Sequence, residues 1–142
     1  MSRERKITRH TIESAVPQPF FFLGVVSAEP DYRLSVMINR HLGTDLRKCP
    51  GDIIIDTSTG TRSFSRFSPE NRAFTLVSNR SGGTVLLQKL KNIDYLLVPA
   101  QQDDAKTTEQ LAASLRLIPE ITAVFMLDSR STADRNIALL AL

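Results

Sequence analysis

Three segments of the chain are apolar at consecutive positions rather than at alternating ones, and they span residues 20–27, 92–98 and 121–127. A strand that is apolar on both alternations usually lies inside a sheet that is covered on both faces. Gly24 interrupts the first segment, which indicates either a β-bulge or a close approach of other residues to the backbone. The pattern therefore predicts three buried central strands.

Two further segments repeat apolar residues at the spacing of a helix. The first covers residues 31–42, and Gly43 after it is suited to a C-terminal cap. The second opens at Asp103 and stops before Pro119, because proline cannot continue a helix. A short apolar stretch at 131–141 predicts a third, C-terminal helix.

Weaker alternation between the two main helices predicts peripheral antiparallel strands. These strands cover residues 53–55, 62–67, 73–78 and 84–90, and turns separate them. Two strand–helix–strand units thus bracket a meander. Helices on one face of a largely antiparallel sheet form two layers. The predicted class is α+β: a two-layer sandwich with a mostly antiparallel sheet and two main helices on one face. We expect a ferredoxin-like or related arrangement with a short C-terminal helix.

The basic character of the chain resides in its N-terminus. Residues 1–10 contain four Lys or Arg and one Glu, which sum to +3, and the whole chain also has a net charge of +3. We therefore expect a flexible basic tail, 1–16, before a single domain, 17–142. Contact of the tail with nucleic acid or anionic lipid is a minor alternative, because so few phosphate contacts would bind weakly.

The residues that bind metals or form disulfides are sparse. Cys49 is the only cysteine, and His10 and His41 are the only histidines. An internal disulfide is therefore excluded, and no Cys/His cluster for zinc is present. We expect no cofactor and a reducing, cytoplasmic compartment. The basic start and the apolar run at 20–26 imitate a signal peptide, but the run is short and prolines precede it, which favours a strand. No run approaches the roughly 20 apolar residues of a membrane span.

A resemblance to a known family covers most of the chain. Residues 117–124 resemble the signature of a small bacterial family named for an Ile-Pro-Glu-x-x-x-Val-Asp-Tyr motif, and they contain Ile118, Pro119, Glu120 and Val124. Residues 125–126 are Phe and Met where the motif has Asp and Tyr. Shorter segments are also similar to the family, and they occur in the family's order within residues 18–141. They are residues 22–25 with Ser27, 31–34 with Asn39, 94–97, and 135–136 with 139–140. The resemblance implies a small cytoplasmic bacterial protein, and it supplies no catalytic residues.

Polar residues near the first helix form the candidate site. An Asp-Tyr pair occurs at the start of that helix and again in the second central strand. A small anion or peptide could bind where these elements meet, through Asp31, Arg33, Asn39 and Asp94. The structural alternative assigns Asp31 and Asp94 to capping and hydrogen bonding and packs the tyrosines as amphipathic core residues.

Three other polar features are better explained by structure than by chemistry. Residues 78–83 could form a backbone nest for phosphate, but the segment lacks the lysine and the helix of a P-loop, which favours a hairpin turn. His41 is expected at a helix end, and Glu120 at the solvated start of a strand. We therefore predict no metal site and no catalytic residues.

Two functions remain open from the sequence. The first is a non-catalytic interaction module that binds itself, as a homodimer, or another protein. Three strands are apolar on both alternations, but only two long helices are available to cover them. One apolar face would therefore need a partner chain to cover it. The second is a ligand-binding or peptide-binding protein with a cleft near the first helix. An enzyme is disfavoured, because no combination of nucleophile, base and orienting residue is visible.

Overall fold

The fold is built on a six-stranded antiparallel sheet. The computed structural model describes residues 19–100, 105–132 and 134–141. The sheet has the order β10-β1-β9-β6-β5-β2, and two separate hairpins are formed by β3 with β4 and by β7 with β8. The strands are β1 (Phe21–Val26), β2 (Arg47–Lys48), β3 (Ile53–Thr57), β4 (Gly60–Phe64), β5 (Arg66–Ser68), β6 (Phe74–Ser78), β7 (Arg80–Ser81), β8 (Thr84–Val85), β9 (Tyr95–Pro99) and β10 (Ala123–Asp128).

Helical segments connect and cover these strands. The α-helices are α1 (Asp31–Leu42) and α2 (Ala105–Leu115), and two 3₁₀ helices span Gln88–Leu90 and Arg135–Ala141. Gly43 ends α1 in the left-handed conformation, with φ of 68°, and its N–H donates to the carbonyl of Asn39. This conformation is strained for residues with a Cβ. Because glycine has none, Gly43 lets the chain turn sharply at the end of α1.

Both α-helices contribute buried side chains to one apolar cluster with the sheet. Leu34 and Ile38 of α1 and Ala112 and Leu115 of α2 are fully buried in one cluster. The same cluster holds side chains from five strands of the sheet: Leu23, Val25, Phe67, Phe74, Leu76, Tyr95, Leu97 and Val124. Burial of each such large apolar side chain contributes about 1.5–3 kcal/mol relative to exposure. This layer is the main apolar core beneath the helices.

The second face of the sheet is covered by other parts of the same chain. The β3–β4 hairpin, the segment between β8 and β9, and the C-terminal 3₁₀ helix pack against it. Their buried residues are Ile53, Phe64, Leu86, Leu87, Ile93 and Leu140, and the sheet contributes Phe22, Val77, Leu96 and Val98. Strands that are apolar on both alternations require cover on both sides. The chain supplies this cover itself, which removes the sequence-based reason for expecting a partner over an open face.

Gly24 lies under this second cover. A Cβ built on Gly24 would lie 3.0 Å from Leu127 Cδ1 and 3.1 Å from Ile93 Cδ1. The register from Phe21↔Asp128 to Val26↔Ala123 runs through Gly24 without interruption. Of the two predicted explanations, the glycine therefore serves close side-chain approach and not a bulge.

The predicted α+β class with an antiparallel sheet is confirmed, and several elements differ in detail. The helix predicted at 31–42 has those bounds, and the three central strands are present. The strand predicted at 84–90 is wrong beyond β8, because the chain turns into a 3₁₀ helix at Gln88. The short β2 was not predicted, and the C-terminal helix is a 3₁₀ helix that begins at Arg135. The predicted basic tail lies outside the described residues.

Candidate functional site

Asp94 organises the polar end of the central strands. One carboxylate oxygen of Asp94 accepts the backbone N–H of Ser27 at 2.9 Å, and the other pairs with Arg80 Nε at 2.7 Å. The Ser27 hydroxyl in turn donates to the carbonyl of Glu120 at 2.8 Å. These bonds join the ends of β1 and β9 to the segment before β10. The carboxylate of Asp94 is thus engaged within the chain.

Asp31 approaches the same region from α1. Its carboxylate accepts the Ser65 hydroxyl at 2.6 Å and the backbone N–H of Tyr32 at 2.7 Å. The buried Tyr95 hydroxyl donates to the carbonyl of Glu29. Burial, and then the neighbouring carboxylates of Asp31, Asp94 and Glu29, raise the pKa of the Tyr95 phenol above its ordinary value. Tyr95 therefore acts here as a neutral donor.

Of the other two predicted site residues, Arg33 reaches this cluster only through Glu29, and Asn39 lies farther along α1. Arg33 pairs with Glu29 at 3.1 Å along the exposed start of α1. Asn39 is eight positions beyond Asp31, roughly 12 Å along the helix axis. Its side-chain oxygen accepts the backbone N–H of Leu46 at 2.7 Å and the Thr44 hydroxyl at 2.8 Å. The structure thus brings Asp31 and Asp94 together around Tyr95, whereas Asn39 fixes the loop after α1.

The predicted hairpin at residues 78–83 is present, and Asn79 beside it was not singled out from the sequence. The buried Asn79 side chain donates to the carbonyls of Leu90 at 3.0 Å and Ile93 at 2.8 Å. Its oxygen accepts the backbone N–H of Leu87 at 2.9 Å. An asparagine shortly before two glycines is typical of a turn, so its residue type carries no signal for this second, buried role.

The outer edge of β10 is a different kind of feature. The Ser129 N–H donates to the Phe20 carbonyl. Because backbone groups alternate in direction along a strand, those of Leu127, Phe125 and Ala123 also point toward β1. Val124, Met126 and Asp128 consequently direct their N–H and C=O groups away from the sheet. The Val124 carbonyl accepts Arg116 Nη2 at 2.8 Å, and the Asp128 carbonyl accepts the N–H groups of the following turn. The N–H and C=O of Met126 and the N–H of Val124 make no such bond to any residue in 19–100, 105–132 and 134–141.

Apolar side chains flank this edge. Phe125 is 49% exposed although its neighbours in β10 are mostly covered. A groove of about 440 Å³ runs beside it, with the 89–93 segment as its other wall. Leu117, in the turn between α2 and β10, is 76% exposed. The edge therefore combines open backbone groups with accessible apolar surface.

Side chains that bind metals are scattered in the described part of the chain. Within residues 19–100, 105–132 and 134–141, no group of three or more His, Cys, Asp or Glu could hold a metal ion. Buried side-chain nitrogen and oxygen atoms in those ranges all have hydrogen-bond partners. None of the helices in the described ranges is both long and apolar enough to cross a membrane.

Comparison with known proteins adds no family to this picture. No protein-family model, no curated protein and no solved structure matches the chain.

Proposed function

We propose that the protein is a non-catalytic interaction module that forms a homodimer through β10. The observation that carries this proposal is the difference between the two edges of the six-stranded sheet. The edge at β2 is two residues long and consists of Arg47 and Lys48, both exposed. The edge at β10 is six residues long, contains no proline, and has its only charge at Asp128. Short strands and edge lysines block strand pairing, so β2 is protected in a way that β10 is not.

The geometry of β10 suits pairing with a second copy around a two-fold axis at Phe125. In antiparallel pairing centred there, the Val124 N–H would donate to the partner's Met126 carbonyl, and the Met126 N–H to the partner's Val124 carbonyl. The Val124 carbonyl has a second lone pair beside the one used by Arg116. The two Phe125 rings would be direct cross-strand neighbours on one face, where aromatic pairs are favourable.

A disulfide trap tests this pairing directly. Residues at a non-hydrogen-bonded antiparallel position have Cα atoms roughly 4.5 Å apart, which is within the range of about 4.4–6.8 Å for disulfides. We therefore expect the Phe125→Cys variant, made with Cys49→Ser, to form a disulfide-linked dimer rapidly under mild oxidation. The matched control is Tyr32→Cys with Cys49→Ser, because Tyr32 is an exposed aromatic residue on α1. Equal rates of cross-linking in the two variants would contradict the proposal.

Sedimentation velocity on the full chain provides the second test. One edge strand buries less than a standard interface of roughly 1,600 Å², so we expect dissociation in the micromolar range. Phe125→Lys places a charge at the centre of the pairing and should leave a monomer, whereas Tyr32→Lys should dimerise as the unchanged protein does. A clean monomer at high micromolar concentration without any substitution would refute the homodimer.

We also propose that the centre of the sheet is related to the ferredoxin-like fold. The order β1, α1, β6, β9, α2, β10 has the required sequence of strands and helices, and the spatial order is fourth, first, third, second. The resemblance at residues 117–124 supports membership of the Ile-Pro-Glu family and a cytoplasmic bacterial setting. Experimental structures of clear family members should have the same strand order, and a different order would argue against this relationship.

A further inference from the structure

A cleft on the second face of the sheet is separate from the polar cluster around Tyr95. It has a volume of about 600 Å³ and lies between the β3–β4 hairpin, the 3₁₀ helix Gln88–Leu90 and the start of the C-terminal 3₁₀ helix. This volume is in the range of roughly 300–1,000 Å³ that small-molecule sites occupy. Ile55 supplies apolar surface, and Thr57, Ser58 and Thr84 line the same space.

Two cations line this cleft without a partner from the described residues. Lys89 and Arg135 are both exposed, and neither side chain takes part in an ion pair or hydrogen bond there. In contrast, Arg33, Arg47, Lys48, Arg80 and Arg130 are each paired with a carboxylate. The cleft therefore presents two positive groups that lie 46 positions apart in sequence.

The two carboxylates of the same cleft form no ion pair with these cations and are bonded elsewhere. The Asp134 oxygens accept the backbone N–H groups of Lys89 at 3.1 Å and Asn136 at 2.9 Å. Asp56 accepts the Thr61 hydroxyl at 3.2 Å. The Asn136 side chain donates to the Leu86 carbonyl at 2.8 Å. These bonds hold the two 3₁₀ helices against each other, so the backbones that bear Lys89 and Arg135 are fixed.

We infer that this cleft binds a small organic oxyanion. The shared chemistry of the ligand is one carboxylate or phosphate group, held by the Arg135 guanidinium and the Lys89 ammonium. Thr57 and Ser58 line the space beside the two cations, and Ile55 is available to contact an apolar part of the ligand. Two carboxylates in the lining disfavour a polyanion such as a nucleoside triphosphate.

Titration of the ¹⁵N-labelled full chain with inorganic phosphate and, separately, acetate tests the inference at constant ionic strength. We expect saturable amide shifts at residues of the cleft, with a millimolar dissociation constant for such small probes. The probe that binds more tightly distinguishes a phosphate from a carboxylate ligand. The paired substitutions Lys89→Gln and Arg135→Gln should weaken binding at least tenfold, because both cations are removed with little change in size.

Lys106→Gln is the matched control, since Lys106 is an exposed lysine on α2, in the layer across the sheet. It should bind the probe as the unchanged protein does. The amide spectrum of each variant reports its folding in the same experiment. Absence of saturable shifts with both probes, or equal binding by the doubly substituted protein, would overturn the inference. Equal weakening by Lys106→Gln would also overturn it, because it would indicate only general charge attraction.

Discussion

At the scale of single residues, Asn79 joins the β7–β8 hairpin to the segment that leads into β9. Its side chain bonds three backbone groups, and it is fully buried. Asn79→Ala would leave these groups without partners, and each buried unsatisfied group costs about 1–3 kcal/mol. Because water can reach some of them after the truncation, we expect a loss of about 3 kcal/mol in unfolding free energy, measured by urea denaturation.

Asn92→Ala is the control for this prediction, since Asn92 is exposed in the same segment. Its effect should stay within about 0.5 kcal/mol. A loss below about 1 kcal/mol for Asn79→Ala would mean that the backbone of this segment does not depend on the asparagine.

Tyr95 predicts a dependence of stability on alkaline pH. Its pKa is raised in the folded protein, so its contribution is fully present below the unfolded pKa of about 10 and declines as the pH rises above that value. At neutral pH, Tyr95→Phe loses the bond to Glu29 and should cost about 1 kcal/mol. Above a pH of about 10, the difference in unfolding free energy between the unchanged protein and Tyr95→Phe should shrink by up to 1.4 kcal/mol per pH unit.

Urea denaturation of both proteins from neutral to alkaline pH measures this change. Tyr32→Phe, at an exposed position, should leave the neutral-pH stability within about 0.5 kcal/mol of the unchanged protein. A constant difference between Tyr95→Phe and the unchanged protein across the whole range would show that the phenol does not resist ionisation.

At the scale of elements, long and strongly patterned segments were predictable from sequence. The consecutive apolar residues of β1, β9 and β10 report burial on both faces, and the stripe of α1 reports a covered helix. The segment 84–90 was not predictable, because Leu86 and Leu87 have the composition of a strand but bond to Asn79. The Asn79 side chain, eight positions before Leu87, takes the place of a neighbouring strand as hydrogen-bond partner. The pattern of hydrophobic residues does not indicate such a contact.

The candidate site was predictable only in part. The repeated Asp-Tyr pair indicated that Asp31 and Asp94 lie near each other, and both do lie around Tyr95. Asn39 does not join them, because eight positions of helix separate it from Asp31. The cleft with Lys89 and Arg135 could not be anticipated, since it depends on the packing of two 3₁₀ helices that are remote in sequence.

The edge strand gives a prediction that belongs to β10 alone. Proline lacks an N–H, but at Met126 the N–H faces away from β1, so Met126→Pro removes no hydrogen bond to the described part of the protomer. We expect it to abolish dimerisation in sedimentation velocity while the monomer stays folded by circular dichroism. Phe125→Pro is the contrast, because the Phe125 N–H faces Gly24, and its loss should destabilise the sheet itself. Persistence of the dimer in Met126→Pro would contradict pairing through this edge.

At the scale of the whole molecule, β1 and β9 belong to both cores. Leu23 and Leu97 face the helices, whereas Phe22 and Leu96 face the second cover. Loss of either cover therefore exposes one side of the same strands. Because the two cores share the strands β1 and β9, we expect them to unfold in a single transition.

Leu140→Ala tests this coupling, because Leu140 is buried in the second cover, far from the tyrosines on the helix side. Truncation of a buried leucine costs about 2–5 kcal/mol, whereas the exposed Leu117→Ala should cost less than about 0.5 kcal/mol. The chain has no Trp and two Tyr, Tyr32 in α1 and Tyr95 in β9, so tyrosine fluorescence reports the helix side. If the sheet couples the covers, Leu140→Ala shifts the fluorescence and circular dichroism transitions by the same amount. A fluorescence transition that stays in place while circular dichroism shifts would mean that the second cover unfolds on its own.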